Sequence, residues 1–344
     1  MKRLLNTLYV TTQGAYLSKD GEAVLIRIEN ETKLRVPVHT LDGIVCFGQV
    51  SCSPALMQLC GDRKVNISFL SQYGRFWARV QGPVSGNVLL RRAQYRSADE
   101  RQRAMEIARM CVLGKIANGR TVLLRALRDH GDKMDVNIIE EACQKLLRLM
   151  ENVRSNAIEL DTLRGLEGDA ARTYFGVFNH LIIAQKDSFV FSERSRRPPL
   201  DKVNALLSFI YTLLTHDVVS ALETVGLDPA VGYLHRDRPG RPGLALDLME
   251  EFRPLFGDRL VLSLINRQQV KAKGFEKTET GAVLMDDQTR KEVLLAYQKR
   301  KQEEIRHPFL DEKISIGLLP YAQALLLARH LRGDLDGYPP FFWK

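Results

Sequence analysis

The sequence lacks most of the features that assign a protein quickly. Its five cysteines, Cys46, Cys52, Cys60, Cys111 and Cys143, are odd in number and form no C-x-x-C pair. Neither a disulfide framework nor a zinc knuckle is indicated, which leaves buried, reduced thiols as the expectation. Long apolar runs are missing too. Stretches such as residues 181–184 fall far short of a bilayer span, and Met1-Lys2-Arg3-Leu4-Leu5-Asn6 turns polar too early for a signal peptide. A cytoplasmic protein without membrane association is the expectation. There is no internal repeat, no low-complexity tract, no G-x-x-x-x-G-K-S/T phosphate loop, no G-x-G-x-x-G, no G-x-S-x-G and no H-E-x-x-H. ATPase, dehydrogenase, serine-hydrolase and zinc-protease chemistry therefore lose their usual support.

What is present is apolar material and positive charge. With 344 residues, 45% hydrophobic and 26% charged, the chain has enough for two cores. The net charge of +9 is spread along it: ten Lys/Arg stand against six Asp/Glu up to residue 86, leaving forty against thirty-five beyond. A basic balance favours a polyanionic partner through release of counterions, although it does not by itself require one.

Two domains are expected, a small N-terminal all-β domain with one short helix (residues 1–86) and a larger all-α domain carrying a metal site (residues 87–344). Runs rich in Val, Ile, Tyr and Phe at 8–12, 23–29, 34–38, 44–47, 65–70 and 76–80 read as strands separated by Lys19-Asp20-Gly21, Gln72-Tyr73-Gly74 and Gly82-Pro83. Ser53-Pro54 reads as the N-cap and first residue of an interposed helix. The connection 81–87 reads as the boundary. Beyond it the apolar period becomes that of helices. Ser97-Ala98-Asp99-Glu100 reads as a capping box, Asn118-Gly119 and His130-Gly131-Asp132 as breaks, and 136–153, 162–184, 201–224, 244–255, 258–270, 288–305 and 315–332 as helices. A hairpin is expected at 275–285, and the tail 333–344 is expected either to dock on a partner or to cover its own domain.

Three segments carry candidate chemistry. In Gly165-Leu166-Glu167-Gly168, Glu167 shares a helical stripe with Ala171, Tyr174 and Phe178, so a carboxylate points where apolar side chains point. It needs a cation, a set of donors or a proton, and a structural ion pair with Arg172 or Arg164 would serve. His235 closes the run Gly232-Tyr233-Leu234 and borders a Pro/Gly loop bearing Arg236, Arg238 and Arg241. Asp247 is followed at helical spacing by Glu250 and Glu251, and periodicity does not choose between the two. One histidine with carboxylates from separate helices is a ligand mix for Mg²⁺ or Mn²⁺ rather than zinc. Such an ion serves phosphoryl transfer, given basic residues to position the phosphate. Arg194, Arg196 and Arg197, set before Pro198-Pro199, supply a second arginine loop.

Taken together, these segments resemble the CRISPR-associated Cas1 family, the integrase and endonuclease of spacer acquisition, and in particular the form that accompanies type I systems of subtype C. The resemblance rests on Gly165-Leu166-Glu167-Gly168 with Ala171-Arg172-Thr173-Tyr174-Phe175, then Arg196-Arg197-Pro198-Pro199 with Asp201, Asn204 and Tyr211. Gly232-Tyr233-Leu234-His235 and residues 246–254 complete it. It implies metal ligation by Glu167, His235 and Glu250, with Asp247 as a supporting carboxylate. The arginines beside these segments, Arg172 included, are expected to contact DNA. It also implies a homodimer through the β domains and a complex with a small companion subunit. The implied substrates are double-stranded spacer precursors and the CRISPR repeat, joined by transesterification from a 3′-hydroxyl. Two alternatives stand beside it: a stand-alone structure-specific nuclease, and a non-catalytic DNA-binding scaffold whose acids are structural.

Overall fold

The computed structural model describes residues 7–29, 31–41, 43–73, 76–80, 82, 87–154 and 159–343. The chain divides into two compact units, one of Met1–Gly86 with Leu294–Gln302 and one of Asn87–Val293 with Glu303–Lys344. The expected connection 81–87 lies largely outside the described residues, as do Met1 to Asn6 and Gly74.

In the first unit the strands are β1 (Thr7–Val10), β2 (Tyr16–Asp20), β3 (Ala23–Ile28), β4 (Glu31–Pro37), β5 (Gly43–Phe47), β6 (Ser51–Cys52), β7 (Asn66–Leu70) and β8 (Phe76–Val80). They form two four-stranded sheets, ordered β1-β5-β7-β8 and β4-β3-β2-β6. Leu17, Val24, Ile44, Cys46 and Ile67 meet in one core, into which α1 (Pro54–Asp62) sends Leu56 and Cys60. Ser53 caps α1 as expected, its hydroxyl accepting from the Leu56 N–H at 3.2 Å with Pro54 in the first turn. β2 is unexpected because Lys19-Asp20 reads as a turn, and of its residues only Leu17 is buried. β6, two residues long, leaves no periodic signal. All five cysteines are free and four are buried; burial pushes the Cys46 and Cys60 thiols up to about 12.

The second unit is helical, with α2 (Val88–Asp99), α3 (Arg101–His130), α4 (Val136–Arg154), α5 (Leu160–Gly176), α6 (Lys202–Val225), α7 (Gly243–Met249), α8 (Arg259–Asn266), the first half of α9 (Asp287–Gln302), and α10 (Leu319–Arg332). Two short hairpins qualify the all-α expectation: the anticipated β9–β10 (Phe275–Lys277 with Val283–Met285) and an unanticipated β11–β12 (Glu304–Arg306 with Lys313–Ser315). α6 is by length and composition able to cross a membrane, contrary to the reading that no such run exists. However, 61% of its apolar window is buried within the fold, as in a core helix.

Other expectations are corrected by packing. Ser97 does not open a helix: it is buried within α2, and α3 begins after Glu100 with no side-chain cap. Asn118-Gly119 does not break α3. The Asn118 side chain is fully buried and spends its polar atoms on other segments, while Gly119 lets Tyr174 come close, since a Cβ there would lie 3.4 Å from its ring. The helix expected over 162–184 ends at Gly176 and gives way to a 3-10 turn, Phe178–Leu181. The one expected over 244–255 ends at Met249, because Pro254 supplies no N–H and its ring crowds the carbonyl of residue 250. A π-helical turn, Arg253–Asp258, then leads into α8.

Candidate active site

Glu167 and Glu250 meet across a lysine. α3, α5 and the turn after α7 come together where α3 carries glycines: a Cβ on Gly114 would lie 2.9 Å from Glu251 Cγ. Between Gly114 and Gly119, Lys115 extends its ammonium to Glu167 Oε1 and to Glu250 Oε2, the latter at 2.7 Å. Glu167 therefore points inward as its stripe requires, but its partner is neither Arg172 nor Arg164. Arg172 pairs with Asp169 on the exposed surface, and Arg164 donates to Asp161 and to the Leu234 carbonyl.

Glu250 is almost fully buried, and a second cation holds its other oxygen, Arg253 Nη1 at 2.9 Å from Oε1. Burial opposes ionisation of this carboxyl. The charges of Arg253 and Lys115 more than offset it and hold the group well below the usual carboxylate range. Oε2 lies 2.7 Å from the Lys115 ammonium and takes its charge, a single partner for a buried carboxylate oxygen with two lone pairs.

Asp247, wholly buried on α7, organises the loop that ends at His235. Its Oδ2 accepts the backbone N–H of Tyr233 and of Leu234, and its Oδ1 accepts the N–H of His235 at 3.0 Å. The same Oδ1 takes His235 Nδ1 at 2.6 Å. A buried carboxylate there fixes the proton on Nδ1 and leaves the Nε2 lone pair for another partner. The loop approaches α7 only because Gly232 and Gly243 lack side chains: a Cβ on Gly232 would stand 2.7 Å from the Gly243 carbonyl carbon and 2.8 Å from Asp247 Oδ2.

Glu251, which periodicity does not separate from Glu250, points the opposite way. It accepts from Gln323, from Tyr338 and from the Phe341 N–H, and burial raises its carboxyl to about 8 despite those donors.

The two arginine loops converge. Arg196, Arg238 and Arg164 lie close enough to Arg241 that, after burial, their charges lower its affinity for a proton. Arg196, Arg197, Arg236 and Arg238 are exposed, Arg236 with one contact to Asp161 at 2.8 Å. Arg194 departs from the expected loop cation. Its guanidinium is half-buried and donates to Ser195 O, Asn204 and Ser208, an anchor made possible by Asp201, which caps α6 and orients Asn204. A cavity of about 30 Å³ opens between Lys115, Tyr174, Arg194, Arg196, Tyr211 and Arg253.

Among the described residues no three His, Cys, Asp or Glu side chains stand close enough to hold an ion as they are placed, and the Lys115 ammonium lies between two of the expected ligands. Sequence reasoning missed Lys115. It sits in an unbroken 30-residue helix with no motif around it, and only the crossing of three segments reveals it.

The profile of the family described as CRISPR associated protein Cas1 matches residues 8–299. The chain is 58% identical over 344 residues to the CRISPR-associated endonuclease Cas1 1 of Chlorobaculum tepidum, covering 100% of both. Its fold resembles that of a casposase solved bound to an integration product, with a TM-score of 0.83 at 22% identity over 98% of this chain and 94% of that one. It also resembles a chain of a Cas6-RT-Cas1–Cas2 complex, with a TM-score of 0.82 at 23% identity over 100% of this chain and 36% of that one.

Proposed function

The chain belongs to the CRISPR-associated Cas1 family, and on that premise we propose that it is a metal-dependent DNA endonuclease and integrase of CRISPR adaptation. It joins the 3′-hydroxyl ends of short DNA duplexes into the repeat array. The observation that carries this reading is the meeting of Glu167 and Glu250 around one cation, with His235 near enough to act on Glu250 and the arginine cluster of 164, 196, 238 and 241 nearby.

By donor type the side chains would suit a hard divalent ion once the Lys115 ammonium moves from between the two carboxylates. Glu250 Oε2 is a buried carboxylate oxygen whose one partner is the Lys115 ammonium, and His235 is held by Asp247 with Nε2 left as its donor atom. Glu167, Glu250 and His235 would hold Mg²⁺ or Mn²⁺, which when bound polarises a phosphodiester and lowers the pKa of an attacking hydroxyl. Lys115 and Arg253 keep Glu250 ionised beforehand, and Lys115 holds the two carboxylates together against their mutual repulsion. Arg196, Arg197, Arg238 and Arg241 offer charge to the phosphates of a duplex. In the reaction the entering 3′-oxygen forms a bond to phosphorus, the existing P–O3′ bond breaks, and the proton lost by one hydroxyl is regained by the other. No energy cofactor is needed, in keeping with the missing phosphate loop.

A homodimer through the β unit, a small companion subunit and a cytoplasmic setting belong to this proposal; the companion is suggested by the Cas1–Cas2 complex that the fold resembles. The test is a labelled duplex with free 3′-hydroxyls incubated with repeat DNA and Mn²⁺ or Mg²⁺. Joined products that vanish with Glu167→Ala or His235→Ala are expected. Cleavage without joining would favour a stand-alone nuclease, and unimpaired joining by either variant would remove the ligand assignment.

A further inference from the structure

Residues 333–343 take no part in the chemistry above, yet their polar atoms are committed to its framework. The Tyr338 hydroxyl donates to Glu251 Oε1 at 2.6 Å, and the Phe341 N–H donates to Oε2 at 2.7 Å. Gln323 of α10 joins the same cluster, its Nε2 lying 2.9 Å from Glu251 Oε2 and 3.0 Å from the Pro339 carbonyl. On α3, Asn118 donates to the carbonyls of Glu251 and Phe341 at 2.7 and 2.8 Å and accepts the Trp343 N–H at 2.7 Å. The guanidiniums of Arg125 and Arg259 lie against the Trp343 ring, at 3.7 Å and 4.5 Å from its centre.

Glu251 is the residue next to Glu250, and Asn118 lies three residues beyond Lys115 on the same helix. The segment therefore grips a neighbour of each member of the Lys115–Glu250 pair. Because the pair comes from two elements, its 2.7 Å separation depends on how α3 and the turn after α7 are held, and both are tied to the same six residues. Buried polar groups with every donor matched tolerate no sliding without leaving one unsatisfied. A mere cover would shield apolar surface. This one buries Tyr338, Phe341 and Trp343 and, beyond that, places hydrogen bonds on the backbone and side chain of the acidic turn.

We propose that residues 338–343 form a positioning strap that sets the Glu250 carboxylate against α3, with Tyr338 and Glu251 as positioning residues for the ligand set. This rests on the reading of Glu250 as a metal ligand. The experiment compares the full chain, Tyr338→Phe, and a chain ending at Gly337 with and without a synthetic peptide of residues 338–344. Three quantities are followed: Mn²⁺ binding by calorimetry, strand joining resolved into kcat and KM, and amide exchange over residues 247–252. Tyr338→Phe keeps the ring and the fold. It is expected to bind Mn²⁺ about ten-fold more weakly and to lose about ten-fold in kcat, as for loss of an outer partner of a ligand, with KM for DNA unchanged. The peptide restores the shortened chain. Variants that fold and keep full Mn²⁺ affinity and kcat, or that lose only in KM, overturn the strap. If the full chain takes no Mn²⁺, the ligand reading falls, and exchange decides the strap alone: faster exchange at 247–252 in the shortened chain supports it, and unchanged exchange overturns it.

Discussion

Lys115 places a positive charge where two carboxylates would otherwise repel, and its side chain is only 13% exposed. Removing one partner of such a buried group leaves charge uncompensated. Lys115→Met is expected to cost about 3 kcal/mol in urea unfolding without metal, and Mn²⁺ should recover more stability for the variant than for the unaltered chain. Asp258 offers a contrasting residue. Burial pushes its carboxyl up to about 6, against the hydrogen bond from Tyr211 and the charges of Arg253 and Arg194. The folded state thus holds this proton more tightly than the unfolded chain, whose Asp titrates near 3.8. The stability so gained is complete below about pH 4 and is lost as pH rises through about 6. Thermal melts of Asp258→Asn across this window should lack the fall that the unaltered chain shows, and an unchanged slope would assign the fall to another group.

At the scale of elements, glycine decides where segments touch. The His235 loop and α7 meet at Gly232 and Gly243, and an added methyl at Gly232 collides with backbone and with Asp247 Oδ2. Gly232→Ala is expected to cost about 1–3 kcal/mol and to disturb the His235–Asp247 contact, visible as a changed imidazole signal in nuclear magnetic resonance. Gly165 lies in the interior of α5, and a Cβ added there would meet nothing within 4 Å. Gly165→Ala should instead add about 0.5–1 kcal/mol, and chemical denaturation separates the two signs. These substitutions also show why element boundaries mislead. Asn118-Gly119 carries the composition of a break, but a long helix tolerates both residues when one is hydrogen-bonded to other segments and the other gives room to Tyr174.

For the whole molecule, the net charge of +9 matters through where it gathers. Arg196 and Arg238 come from two loops far apart in the sequence, and both place their charge on Arg241, where a phosphate is expected to be drawn. Duplex affinity should fall steeply with salt. Replacing Arg196 and Arg238 by Ala should each reduce the slope of log K against log salt by about 0.9, the value for one phosphate contact, whereas Arg194→Ala should act through stability because its donors serve Asn204 and Ser208. A salt slope unchanged in the Arg196 and Arg238 variants would place the DNA elsewhere. The sequence by itself determined the order of a β unit before a helical one, the Ser53-Pro54 helix start and, through the motifs of three candidate segments, the family. Those are local patterns, written in period, capping and spacing. Only the tertiary structure decided that Glu250 faces Lys115 while Glu251 faces Tyr338 and Phe341, that Leu294–Gln302 joins the β unit, and that the tail covers its own unit. Each of those depends on which distant segment arrives to complete a charge or a hydrogen bond, and a linear pattern carries no record of that.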